Sequence, residues 1–335
     1  MARKNKTGRI FRYLFIFCFT SFTRYASVAL LAALLQFPAF LSSCSKSDTP
    51  LKLPAQVRIR AQYPHSAEAL DVFFFDTLGA QVLDAYQQIV CDSAGHLYAL
   101  SGAGARHMVV LSGEKGHRER WMDLRTYGQL CKHTFHLENE DPASPLLAGE
   151  MDLEAGASRR ADIVLRPRLS AVRIRSVSCD FSGRPYAGEA FFVNRLFLCY
   201  AGAECHPLGP GDAYPVSWLN PGLLDSMAVM QLRYPEMVLQ EGCGSIGAER
   251  KAVDRSFYCY PHPDTRLVLE GDVGAVHCYY PIPLRNLRGG EVLELDITLR
   301  RMGSPHPDIP TESDVASLDA AILPWDTRPG EIIPF

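Results

Sequence analysis

Leu293, Leu295, Ile297 and Leu299 alternate with Glu294, Asp296 and Thr298. Only an extended strand with one face buried and the other wet uses a period of two. The same period recurs where Val57, Ile59, Ala61 and Tyr63 alternate with Arg58, Arg60 and Gln62, and where Val172 and Ile174 alternate with Arg173 and Arg175. Val72-Phe73-Phe74-Phe75 is apolar throughout, as a strand buried on both faces is, and the turn sequence Asp76-Thr77-Leu78-Gly79 closes it. Further strands are expected at 81–90, 96–100, 107–111, 161–165, 191–200 and 267–269, with Ser, Gly, Asp and Glu between them. A helix is expected only between Pro221 and Gln240, interrupted by Pro235. Such a chain is all-β. Its strands fall into two groups that meet at Arg166-Pro167-Arg168, which predicts two β-sandwich domains in tandem, 55–167 and 168–335.

The first 43 residues belong to neither group. They carry six Lys or Arg and no acidic residue, then an apolar run from Ala26 to Leu41 that ends in Leu41-Ser42-Ser43-Cys44. A basic segment, a short apolar segment and small residues ahead of a cysteine make a lipoprotein export signal over 1–43, with Cys44 acylated after cleavage. The competing reading is an uncleaved signal anchor, since a second apolar stretch lies at 13–22. Residues 44–54, with Lys46, Asp48, Pro50 and Lys52, read as a tether from the lipid to the folded body. Losing residues 1–43 moves the formal charge from −3 to −9. That acidity argues against nucleic acid, whose phosphates require a basic surface.

No pattern of reactive residues points to catalysis. Cys131, His133 and His136 have the composition of half a metal site, but on a strand the first two share a face and the third points away. Ser226 and Ser245 lack the glycine elbow of a hydrolase nucleophile, and there is no phosphate-cradling glycine loop. No catalytic residue, metal or cofactor is therefore expected. Eight cysteines remain after Cys18 and Cys44, and only Cys199 and Cys205 are spaced for a local bridge; they either pair or pack as free thiols. Arg159, Arg160, Arg166, Arg168, Arg173 and Arg175 read as the wet face of strands rather than an anion clamp. Phe257-Tyr258-Cys259-Tyr260-Pro261-His262-Pro263 reads as core and turn, with a carbohydrate platform as the alternative.

Three stretches together resemble the fimbrillin superfamily, the lipoprotein-derived fimbrial subunits and anchors of Bacteroides-type bacteria. The first is Val57-Arg58-Ile59-Arg60 followed by Leu70 to Asp76 and Gly79, and the second runs from Ile163-Val164-Leu165-Arg166-Pro167 to Val172-Arg173-Ile174. The third is Phe257 to Pro263, then Thr265 to Gly271, Tyr279-Tyr280-Pro281-Ile282 and Arg301-Met302-Gly303-Ser304 with Pro307-Asp308. The resemblance implies two transthyretin-like sandwiches, export as an outer-membrane lipoprotein through Cys44, surface display in a fimbrium, and no catalysis. It implies as partners other fimbrial subunits, membrane lipid, and an adhesion ligand on a host or bacterial surface. Polymerising members lose an N-terminal strand after a basic residue and accept a neighbour's C-terminal strand instead. By that resemblance Arg58 and Arg60 are the candidate cut sites, and 318–325, with Leu318, Ala320, Ile322 and Trp325, is the candidate donor strand. Pro324, Pro329 and Pro334 interrupt the tail and remove ladder donors, which leaves open an anchor subunit that keeps its lipid and first strand. A surface glycan-binding lipoprotein is the alternative from a different class.

Overall fold

The computed structural model describes residues 55–325 apart from 63–68, 91–96, 103, 113–120, 122, 155–157, 209–216, 223–225, 286, 310, 311 and 313. Cys44, the export signal and the tether lie outside the described residues. The N-terminal strands are β1 (Ala55–Gln62), β2 (Leu70–Phe75), β3 (Gln81–Ile89), β4 (Leu97–Ser101), β5 (His107–Ser112), β6 (Phe135–His136), β7 (Leu147–Asp152), β8 (Ser158–Val164) and β9 (Arg166–Pro167). They are followed by β10 (Ser170–Cys179), β11 (Phe191–Cys199), β12 (Ala201–Gly202), β13 (Glu204–Cys205), β14 (Trp218–Leu219), β15 (Leu239–Ile246), β16 (Lys251–Cys259), β17 (Arg266–Val273), β18 (Val276–Pro283), β19 (Glu291–Leu299) and β20 (Ala316–Pro324). The all-β sandwich expected from the alternation is what the chain forms.

Four sheets carry the architecture: β4-β1-β8, β3-β2-β5-β7-β9, β16-β10-β19-β20 and β15-β11-β17-β18. The change from the first two to the last two falls between β9 and β10. The core does not divide there. Val57, Ile59, Leu70, Val72, Phe74, Leu97, Ala161 and Ile163 fill the space between the three- and five-stranded sheets. Phe73 and Phe75, on the other face of β2, join Trp121, Leu130 and Phe135 in a second cluster that continues into Phe191, Phe257, Leu269 and Leu295. This is why all six residues of β2 are buried and why its sequence shows no alternation: both faces need apolar side chains.

The second cluster also encloses polar atoms. Glu140 is buried, and its carboxylate accepts hydrogen bonds from the Tyr260 hydroxyl at 2.6 Å and the Leu146 N–H at 3.2 Å. Burial pushes its pKa up to about 7, against the opposing pull of those donors. Cys199 and Cys205 are buried free thiols in separate clusters, so the local bridge does not form.

The helix expectation needs correcting in two places. Helix α1 (Tyr127–Cys131) lies outside 221–240 and ends on Cys131, the first residue of the trio read as a strand. Its signal is a capping box: Thr126 Oγ1 accepts from the Gln129 N–H, and Gln129 Oε1 accepts from the Thr126 N–H. Helix α2 (Ser226–Met230) occupies only part of 221–240, because a 3-10 turn follows at Pro235–Met237 and β15 begins at Leu239. β15 had no strand signature because it is glycine-rich. The bulge of β11 between Val193 and Arg195 brings backbone so close that a Cβ on Gly242 would sit 1.9 Å from the Val193 carbonyl oxygen.

Candidate functional site

The last described strand is the most open part of the sheet system. β20 pairs antiparallel with β19 from Ala316↔Leu299 to Pro324↔Glu291, and no described strand pairs with its other edge. The register places Leu318, Ala320 and Ile322 opposite Ile297, Leu295 and Leu293. These six residues therefore share the inward face of the sheet. On β19 that face is covered: Leu293, Leu295 and Ile297 are all buried. On β20 it is not, since Leu318 is 37% and Ile322 53% exposed, and Ala320 is exposed as well.

The reason lies in the facing sheet. It ends at β18, an edge strand whose Pro281 and Pro283 lack the N–H that continued pairing needs. Between the ends of the two sheets opens a cavity of about 500 Å³, walled by Ile282, Leu284 and Arg285 on one side and Leu293, Leu295, Leu318 and Ala320 on the other. Arg285 supplies its one charged side chain. The outer face of the same sheet is polar instead: Arg175 pairs with Asp296 and Glu294, and Arg173 with Glu294 and Asp254. Hydrogen bonds from Arg175 and Ser176 hold the Asp296 carboxyl below the usual carboxylate range. Trp325 stands apart from the other candidate donor residues. It lies past the strand end with its N–H donated to the Gly290 carbonyl and its ring 5.6 Å from that of Tyr258.

The candidate cut sites lie on β1, which is paired on both edges, antiparallel to β4 and parallel to β8. Arg58 is exposed opposite Tyr98 and Arg160, between the buried Val57 and Ile59. The side chain of Arg60 lies outside the described residues. The first and last strands thus form two separate places rather than one constellation.

The remaining candidates behave as follows. Cys131 ends α1, His133 follows it, and His136 on β6 sits 3.4 Å from Glu204, so the strand geometry assumed for the trio is replaced by a helix and a turn. Among the described residues no three His, Cys, Asp or Glu side chains are arranged to hold a metal ion. Ser226 begins α2 and Ser245 lies on β15. Phe257, Tyr258, Cys259 and Tyr260 are all buried, which removes Tyr260 as a carbohydrate platform. Among the described residues no helix is long and apolar enough to cross a membrane.

No family model matches the sequence, and no curated protein does. Solved structures do match at the level of fold. A candidate cell adhesion protein from Parabacteroides distasonis is 11% identical, with a TM-score of 0.59 over 82% of this chain and 98% of the other. The chain has the fimbrillin fold. A fimbrilin from Porphyromonas gingivalis W83 is 12% identical, with a TM-score of 0.55 over 82% of this chain and 98% of that one. A candidate cell adhesion protein from Bacteroides eggerthii is 14% identical, with a TM-score of 0.57 over 82% and 96%. The likeness to fimbrillins read from three sequence stretches thus extends to the fold.

Proposed function

We propose that this chain is a cell-surface fimbrial subunit that joins other subunits by strand addition and contributes to adhesion. In this reading 55–167 and 168–335 are its two modules. Cys44 carries the lipid that holds it at the outer membrane until a cut at Arg58 or Arg60 releases the chain. The observation that carries the proposal is the uncovered inward face of β20, where Leu318, Ala320 and Ile322 alternate as a donor strand requires.

The acceptor is the slot that β1 now fills. Cutting after Arg60 and withdrawing the released part of β1 leaves β4 and β8 with unpaired edges, and leaves Leu97, Ala99, Ala161 and Ile163 without the cover of Val57 and Ile59, whereas a cut after Arg58 releases Val57 but leaves Ile59 on the body. An incoming strand with alternating apolar residues restores both the ladder and the cover. Because β1 is paired on both edges, a protease reaches the Arg58 bond only where the strand has opened.

The test is electrophoresis of the exported protein without boiling. The wild type gives a ladder of multimers, whereas a chain ending before Ala316 gives monomer alone. A ladder that survives this truncation, or a wild type that stays monomeric after cleavage at Arg58 or Arg60, overturns the proposal.

A further inference from the structure

A strip of aromatic rings lies on the outer face of the sheet whose inner face borders the β20 cavity. In β17, Leu267 and Leu269 point into the main core while Val268 joins Phe197 and Cys199 on the outer side, with Tyr200 and Tyr279 packed against them. Beyond this small cluster the Trp218 ring is 6.0 Å from Tyr200 and 5.8 Å from His262. Trp218 is 43% exposed, and the other two rings are partly open.

Tyr200 is held there at a conformational cost. Its φ is +53°, in the left-handed region that bulky side chains avoid. Asn220 Oδ1 accepts its N–H at 2.5 Å, and the Thr265 hydroxyl donates to its carbonyl at 3.1 Å. Fixing a bulky residue in this way, where glycine would be unstrained, holds the ring between the Phe197, Cys199 and Val268 cluster and Trp218.

Polar groups edge the strip. The Arg266 guanidinium lies 5.0 Å over the Tyr200 ring and donates to the Asp308 carbonyl at 2.8 Å. The Asp308 carboxylate stands 3.4 Å from the Tyr200 hydroxyl and 3.6 Å from His306 Nδ1, with its side chain 42% exposed.

We infer that Trp218, Tyr200 and His262, with Asp308 and Arg266 at their edge, form a binding site for a neutral hexopyranose of a surface glycan. An exposed indole offers a flat apolar face that matches the C–H face of a pyranose ring, while a neighbouring carboxylate and guanidinium accept from and donate to its hydroxyls. The charges of Arg266 and Asp308 offset each other, and one guanidinium nitrogen is given to the Asp308 carbonyl while the other N–H groups are left for sugar hydroxyls. Among the described residues the site therefore presents no unmatched positive charge of the kind an acidic sugar needs. Arg266, Asp308 and His306 edge the strip, unlike the mainly apolar cavity at β20, which disfavours a lipid chain or an apolar peptide.

The test uses the full chain, whose three tryptophans give three indole N–H signals in a ¹H–¹⁵N spectrum. Methyl β-D-glucopyranoside, methyl β-D-galactopyranoside and methyl α-D-mannopyranoside serve as probes, with N-acetylneuraminic acid as the anionic comparison. The expected result is a saturable shift of the Trp218 signal with at least one neutral sugar while that of buried Trp121 stays in place. Trp218→Ala weakens binding about tenfold or more, and Asp308→Asn weakens it without disturbing the rings. Three results overturn the inference: no Trp218 shift up to the solubility limit of all three neutral sugars, a shift with N-acetylneuraminic acid alone, or unchanged affinity in both variants.

Discussion

β1 and β20 both place apolar residues at every second position of one face, yet their surroundings are opposite. β1 lies between two partners, and Val57 and Ile59 are almost completely buried. β20 has one described partner, and its corresponding side chains face an open cavity. Burying an aliphatic side chain contributes about 1.5–3 kcal/mol, so β1 contributes to the core something that β20 holds in reserve. A strand-exchanging subunit needs this inequality: a donor that is not already satisfied, and an acceptor slot whose filling is worth a large free energy.

A charge placed on each strand breaks or confirms the comparison. Ile59→Asp leaves an unpaired carboxylate between two sheets and is expected to cost more than about 4 kcal/mol, read as a collapse of the urea midpoint. Glu140→Gln comes next and shows whether the damage spreads. The folded pKa of Glu140, about 7, is above its ordinary value of 4.5, so the proton is held more tightly in the folded state. Stability from this group is full below about pH 4.5 and is lost as pH rises through 7, a difference on the order of 3 kcal/mol. Glu140→Gln is expected to remove that component of the stability curve between pH 5 and 8. Because Glu140 lies in the continuous core beside Tyr260, its pH dependence vanishing together with structure in Ile59→Asp means that the two halves melt as one. Ile322→Asp has the smallest effect, within about 0.5 kcal/mol, since the residue is already 53% exposed. A cost above 2 kcal/mol there means that its face is covered.

Local pattern made some of these features readable in advance. The alternation of Leu293 to Leu299 and the unbroken apolar run of β2 are direct records of one buried face and two buried faces. The capping box at Thr126 and Gln129 was equally present in the sequence, but the helix it starts has only five residues, too few to show a helical period. β7 and β15 were not readable, because Gly149 and Gly242 are there for close backbone approach and leave no side chain to mark a face. The site differs again. Leu318, Ala320 and Ile322 were legible as a strand face, but whether that face is covered depends on where the facing sheet stops, which the prolines of β18 decide from some forty residues earlier in the chain. Tyr260 failed as a platform for a related reason: an aromatic in a strand reads the same whether it points into the core or out of it.

In the proposed assembly β20 is unsatisfied within its own chain and becomes satisfied in a neighbour. Amide hydrogen exchange of β20, compared between the monomer and the assembled polymer, tests it most directly. Rapid exchange of β20 is expected in the monomer, with β1 well protected, and strong protection of β20 once polymer forms. Equal protection of β20 in monomer and polymer contradicts it.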